Sequence, residues 1–198
     1  VLGGGDSTDT IASIDSFAQI GHGGSGSSGT VTGDIAVSTS DGGDILLRGG
    51  ADRYTHAQIG HGGRASTGTQ NGAVEVTADG ALTLIASYDE NKPGGASNGV
   101  AGETYAQIGH GGMYGGGLKS GDIEVNAKTG ILLRNGEASY GFTRIGHGGY
   151  DPGAGNKPAT VIVDADIRVA TPLRRNTADT RARPVRPFPS VKGWIVSN

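Results

Sequence analysis

Residues Tyr105–Gly112 read YAQIGHGG, and the phrase returns as FAQIGHGG at Phe17–Gly24, HAQIGHGG at His56–Gly63 and FTRIGHGG at Phe142–Gly149. Its isoleucines, Ile20, Ile59, Ile108 and Ile145, are spaced by 39, 49 and 37 residues. Copies at a nearly fixed period mark a repeat architecture whose length changes are taken up in loops.

Two further patterns recur between the phrases. The first is an alternating pair, Ile35/Val37, Val74/Val76, Ile123/Val125 and Val161/Val163; the second is Ile45/Leu47, Leu82/Leu84, Ile131/Leu133 and Ile167/Val169. Apolar residues two apart have the period of a strand with one buried face. One repeat therefore reads as three short strands, GDIxV, GxILLR and AQIGHGG.

Three short strands have no second layer of their own, so each repeat must bury its apolar face against its neighbours. The spacing predicts an all-β parallel β-helix, a β-solenoid with three strands per coil, three coils complete and two partial. A β-propeller blade needs four strands, and no four-strand count fits. Whether a repeat makes one coil or two smaller ones of about 20 residues stays open on spacing alone.

Glycine supplies 39 of 198 residues, and the chain has no cysteine. The glycines punctuate turns between recurrent apolar pairs, a pattern that disordered low-complexity sequence lacks. The absence of cysteine excludes disulfides, thiolate metal sites and a cysteine nucleophile. No apolar run approaches the ~20 residues of a membrane-spanning helix. The chain opens on Val1 with no visible signal peptide, the expectation for a mature product or a fragment of a longer chain.

Three regions follow: residues 1–16 as an N-terminal cap or truncated coil, 17–170 as repeats, and 171–198 as a basic, proline-containing tail. The chain through Ala170 carries net charge −8, the tail +5. Pro184, Pro187 and Pro189 exclude regular strand pairing there. The tail is read as a cap on the open end, anchored by Phe188, Trp194 and Ile195. An acidic body argues against a nucleic-acid partner.

In a regular extended strand Ala18, Ile20 and His22 share one face, and Phe17, Gln19 and Gly21 the other. Stacked repeats then give three columns of chemically distinct side chains. His22, His61, His110 and His147, pointing inward or lying at the corner where the strand ends, form an imidazole column, expected to be a ladder of neutral rings bonded to one another or to turn carbonyls. A shared transition metal is the functional alternative, although no Asp, Glu or Cys recurs beside them. Gln19, Gln58 and Gln107 are expected to hydrogen-bond amide to amide, ending at Arg144. Phe17, His56, Tyr105 and Phe142 form a mostly aromatic outer row, with Phe17, Tyr105 and Phe142 as a candidate ligand surface for sugar rings.

Tandem GDIxV…GxILLR…YAQIGHGG units, clearest in SGDIEVNAKTGILLRNGEASYGFTRIGHGG, resemble the repeats of large bacterial adhesins of the filamentous haemagglutinin-like, two-partner-secretion type. The likeness covers residues 30–170. It implies a right-handed parallel β-helix, export in the unfolded state, and display on a bacterial surface or secretion from it. It implies no catalytic residues. Host-cell, matrix or glycan surfaces are the partners expected on this reading.

Two alternatives remain on the sequence. A β-helical enzyme acting on a polysaccharide or ester needs converging carboxylates or a nucleophile. Asp34, Asp44, Asp79, Asp122 and Asp164 are scattered among turns, and the formal G-x-S-x-G at Gly95–Gly99, with Ser97 in the nucleophile position, lies in a loop rather than on a strand-to-helix elbow. The same insertion carries Asp89, Glu90 and Glu103, hard oxygen ligands for a candidate Ca²⁺ site; no cofactor is otherwise expected. The second alternative is a fibre subunit whose open ends associate end to end.

Overall fold

The computed structural model describes residues 1–3, 15–50, 52–87, 103–135, 141–149 and 161–164, with 2–3 and 161–164 described in backbone only. Every regular element among them is a β-strand. Each repeat begins with its phrase strand: β2 (Phe17–Ile20), β6 (His56–Ile59), β10 (Tyr105–Ile108) and β14 (Phe142–Ile145). A two-residue strand follows: β3 (Val31–Thr32), β7 (Gln70–Asn71) and β11 (Lys119–Ser120). The GDI strands are β4 (Ile35–Ser38), β8 (Val74–Ala78), β12 (Ile123–Ala127) and β15 (Val161–Asp164). The ILLR strands are β5 (Ile45–Arg48), β9 (Ala81–Ile85) and β13 (Gly130–Arg134), preceded by β1 (Leu2–Gly3).

Equivalent strands pair in parallel, giving four sheets ordered β14-β10-β6-β2, β11-β7-β3, β15-β12-β8-β4 and β1-β5-β9-β13. These are named below the phrase, short, GDI and ILLR sheets. In the three repeats whose strands are all described, the chain visits them in the same order. Ile20 lies opposite Ile59, Ile59 opposite Ile108, and Ile108 opposite Ile145. Equivalent residues are thus direct neighbours, so each repeat makes one circuit of the sheets.

The expected strands are present wherever their residues are described. The count of three per repeat is corrected to four, because the short sheet lies between the phrase and GDI sheets. Its strands are too brief to alternate, and Gln70 and Lys119 carry no apolar signal. The fourth ILLR pair, Ile167/Val169, and the tail 171–198 fall outside the described residues.

The hydrophobic core lies where the phrase, GDI and ILLR strands turn their apolar rows inward. Leu47, Val76, Leu82, Leu84, Ile108 and Val125 are fully buried there. Each such side chain contributes roughly 1.5–3 kcal/mol on leaving water. The inner phrase strands β6 and β10 are buried on both faces, however: Ala57 and Ile59 join this core, while His56 and Gln58 are equally enclosed on the other side.

What covers that second face is the GHGG segment folding back on its own strand. A Cβ on Gly24 would lie 2.8 Å from Cζ of Phe17, one on Gly62 would meet Gln70 at 3.0 Å, and one on Gly112 would strike the Tyr105 hydroxyl. The first glycine of the phrase has a further constraint. Gly60 and Gly109 have φ of +152° and +135°, and a Cβ there would run into the next repeat's carbonyl, Gly109 or Gly146. A side chain at this position is excluded by both backbone geometry and space.

Candidate functional site

The second interior holds the chemically capable side chains of the repeat. Three histidine rings stack with centroid separations of 4.9 Å (His61–His110) and 4.8 Å (His110–His147), and His22 stacks on His61 at 5.4 Å. The phrase strand ends at the isoleucine, so the ring sits at the corner between the phrase and GDI sheets.

The hydrogen bonds set its tautomer. The backbone amide of His22 donates to Nδ1 of His61 at 3.1 Å, that of His61 to Nδ1 of His110 at 3.0 Å, and that of His110 to Nδ1 of His147 at 3.0 Å. An Nδ1 that accepts carries no proton, so in the neutral ring the proton is on Nε2. Nε2 then donates to a carbonyl in front of the GDI strand: His61 to Gly33 (2.8 Å), His110 to Gly72 (2.9 Å) and His147 to Gly121 (3.0 Å).

Each ring therefore bonds backbone on both sides and ties one repeat to the one before it. The expected bonds to turn carbonyls are present, but the rings do not bond one another. A metal would need a nitrogen lone pair, and in His61, His110 and His147 the only one is taken by an amide. The described residues contain no group of three or more His, Asp or Glu placed to hold an ion.

The glutamines act as clamps rather than as an amide ladder. Nε2 of Gln58 donates to the carbonyls of Gly109 (2.9 Å) and Gly111 (2.6 Å), and Nε2 of Gln107 to Gly146 (2.9 Å) and Gly148 (2.8 Å). Gln19 binds Gly60 and Gly62 likewise, both at 2.7 Å. The glycine-rich turn of the next repeat exposes carbonyls that a planar amide reaches better than a neighbouring amide does. This is a correction to the expected ladder.

The aromatic row is stacked as expected, at 4.9 Å for Phe17–His56, 4.4 Å for His56–Tyr105 and 5.0 Å for Tyr105–Phe142. It is not an outer ligand surface. Tyr105 is fully buried and Phe142 half-buried, because the folded-back GHGG segment covers them; Phe17, at the end of the row, is exposed. Burial drives the Tyr105 hydroxyl far above its ordinary pKa.

His56 differs from the histidine column. It is fully enclosed between two aromatic rings, and neither ring nitrogen makes a hydrogen bond. Burial pushes its pKa down to about 4, and pushes His110 to about 4 as well. His147 is lowered by the same cause.

Sequence reasoning missed Lys119, which is fully buried and donates to the carbonyls of Gly68 (3.0 Å) and Gly116. It faces Gln70 across the short sheet. A signal was available: Val31, Gln70 and Lys119 each stand 11 residues after the phrase isoleucine.

Among the described residues the remaining candidates do not converge. Glu103 accepts from the Tyr114 hydroxyl at 2.6 Å and faces Arg53 at 3.8 Å, partners that compete with a cation. Arg53 and Arg64 flank the Tyr54 ring, at 4.4 and 3.7 Å, and Arg64 pairs with Asp15 at 3.0 Å. Ser97, Asp89 and Glu90 lie outside the described residues. Asp34 and Asp44 accept from the backbone amides of Ala73 (2.8 Å) and Ala81 (2.7 Å), so these acids bond the next repeat. The described residues contain no helix long and apolar enough to cross a membrane.

No protein family, curated protein or solved structure matches the chain.

Proposed function

We propose that this chain is a structural and adhesive repeat segment of an exported bacterial surface protein, without a catalytic centre, wound as a right-handed parallel β-helix. The observation that carries the reading is the use made of the repeated phrase. Its histidines and glutamines, the groups best suited to chemistry, are engaged with the backbone of adjacent repeats. An active site needs one copy of its machinery, and a stalk needs the same joint at every repeat.

The sequence resemblance supplies the exported and bacterial part of the proposal, and a cysteine-free chain suits passage across membranes in the unfolded state. The four parallel sheets, visited once per repeat, suit a β-helix that rises about 4.8 Å per circuit. Such a shaft spaces its loops at regular intervals, and loops carry recognition in repeat proteins. Host-cell, matrix and glycan surfaces are the proposed partners.

The test is a pair of assays on the full chain. Immobilised protein should retain polymeric glycans or extracellular-matrix proteins, and purified protein should release neither reducing sugar from polysaccharide nor alcohol from simple esters. Turnover that disappears in Ser97→Ala would overturn the proposal in favour of a β-helical hydrolase.

A further inference from the structure

We infer that the GHGG segments and the short sheet form an acid-released cover over the phrase sheet, one that lifts below neutral pH and uncovers His56 and Tyr105 while the hydrophobic interior stays folded. The device is independent of what the shaft binds.

Its origin is the way the histidine column spends its hydrogen bonds. Nδ1 of His110 accepts from the His61 amide, and Nδ1 of His147 accepts from the His110 amide, both at 3.0 Å. Nε2 of each ring already donates to a carbonyl, that of Gly72 or Gly121. A second proton can go only to Nδ1, where it turns an acceptor into a donor aimed at another donor. The imidazolium form is therefore incompatible with the joint between repeats. In an opened segment, by contrast, water accepts from both N–H groups.

His56 reaches the same end by another route. It is held between Phe17 and Tyr105, with ring centroids at 4.9 and 4.4 Å, and neither ring nitrogen makes a hydrogen bond. Protonation would enclose a charge away from water with no hydrogen-bonded partner.

The surroundings add to both effects. His110 lies between His61 and His147, at 4.9 and 4.8 Å, so charged neighbours in the column would repel. Among the described residues, Lys119 from the short strand β11, Arg144 from the phrase strand β14 and Asp122 in front of the GDI strand β12 act on the column, and Arg64 acts on His56. One carboxylate against three cations leaves little to compensate further positive charge. Burial accordingly holds His56 and His110 at about 4 and lowers His147. Opening restores the ordinary value near 6.5. Below that pH the opened form gains about tenfold per pH unit for each ring that takes up a proton, until the folded value is reached.

Composition confines the opening to the cover. The hydrophobic interior is built from Ala, Ile, Leu and Val and contains no titratable group. Ala57, Ile59, Ala106 and Ile108 keep the phrase strands anchored in it by their other face. At neutral pH the cover is held shut by the glutamine clamps, Gln58 on the Gly109 and Gly111 carbonyls and Gln107 on those of Gly146 and Gly148.

Amide hydrogen exchange of the full chain between pH 7 and pH 5, corrected for the intrinsic rate at each pH, tests this. Protection of residues 60–63 and 109–112 should fall by roughly thirtyfold or more, while β8 and β9 keep theirs. His110→Asn retains an acceptor for the His61 amide but has no proton to gain, so the fall at residues 60–63 should shrink at least tenfold. The wild-type chain decides the question even if that variant folds poorly. Protection that stays flat down to pH 5, or that falls in β8 and β9 together with the phrase segments, overturns the inference. An unchanged pH dependence in folded His110→Asn overturns it as well.

Discussion

Leu84 and Gln107 are both fully buried, and they lie in two interiors that share the phrase sheet as a wall. The first is packed with Leu, Ile, Val and Ala and gains its stability from area withdrawn from water. The second is packed with Gln, His, Lys and stacked rings, and its polar groups are held by carbonyls and amides of adjacent repeats. A buried hydrogen bond adds only about 1 kcal/mol net, but leaving a partner unmade costs about 1–3 kcal/mol. The hydrophobic interior therefore supplies most of the stability, and both interiors fix register: a one-residue slip would turn the apolar rows out of the core and would orphan the buried glutamines and histidines as well.

The sharpest break of this division is at the wall itself. Gly109→Ala places a Cβ against the Gly146 carbonyl at a positive φ and should cost on the order of 3–5 kcal/mol, read by denaturant unfolding. Leu84→Ala should cost a similar amount, about 2–5 kcal/mol, through the cavity it leaves. The two should differ in kind. The leucine variant should keep the native pattern of amide exchange in the phrase sheet, and the glycine variant should lose it.

Between pH 6.5 and 4, acid should act chiefly on the polar interior. His56 and His110 fall from their ordinary 6.5 to about 4 in the fold, because burial favours the neutral ring. Between those values the unfolded chain binds protons that the folded chain refuses. Stability is fully present above 6.5 and drains away as pH falls towards 4, by on the order of 3 kcal/mol for each ring. His147 contributes in the same direction. A melting temperature that is flat across this window would contradict the assignment of neutral buried rings.

Gln107→Leu comes next. The isosteric change keeps the packing but strips donors from the Gly146 and Gly148 carbonyls, and should cost about 2 kcal/mol. His56→Phe reverses the sign. It replaces a ring whose nitrogens are unsatisfied with the residue found at Phe17 and Phe142 in the same row, and should stabilise by about 1–2 kcal/mol at neutral pH while flattening the acid response. Outside both interiors, Lys128→Ala removes a 2.9 Å pair with Asp79 on the exposed surface and should leave the unfolding midpoint nearly unchanged.

The hydrophobic interior was legible in the sequence because its signal is local. Ile35/Val37, Val74/Val76 and Ile123/Val125 alternate within one strand, and their buried face follows from that alone. The polar interior was legible only in part. The columns could be read from the repeat, and the stacking of Phe17, His56, Tyr105 and Phe142 followed. Their partners could not be read, because Gln58 and His61 bond backbone groups of another repeat, which have no residue type to betray them.

Alternation leaves His22 either on the face of Ile20 or at the corner where the strand ends; the strand stops at Ile20, and Gly21 at φ +139° redirects the chain, which puts the ring at the corner. The aromatic row reads as exposed in the sequence because the GHGG segment that folds back over it carries no apolar alternation, and the two-residue strands Gln70–Asn71 and Lys119–Ser120 that follow are too brief to signal a further layer.

The central claim is that His61, His110 and His147 are neutral couplers between repeats, with each ring nitrogen committed to backbone. Long-range ¹H–¹⁵N imidazole spectra of the full chain at neutral pH, recorded with and without added Zn²⁺, test it most directly. The account predicts protonated Nε2 and unprotonated Nδ1 in His61, His110 and His147, with no change when the metal is added. Rings of the other tautomer, or resonances that shift stoichiometrically with Zn²⁺, would contradict it.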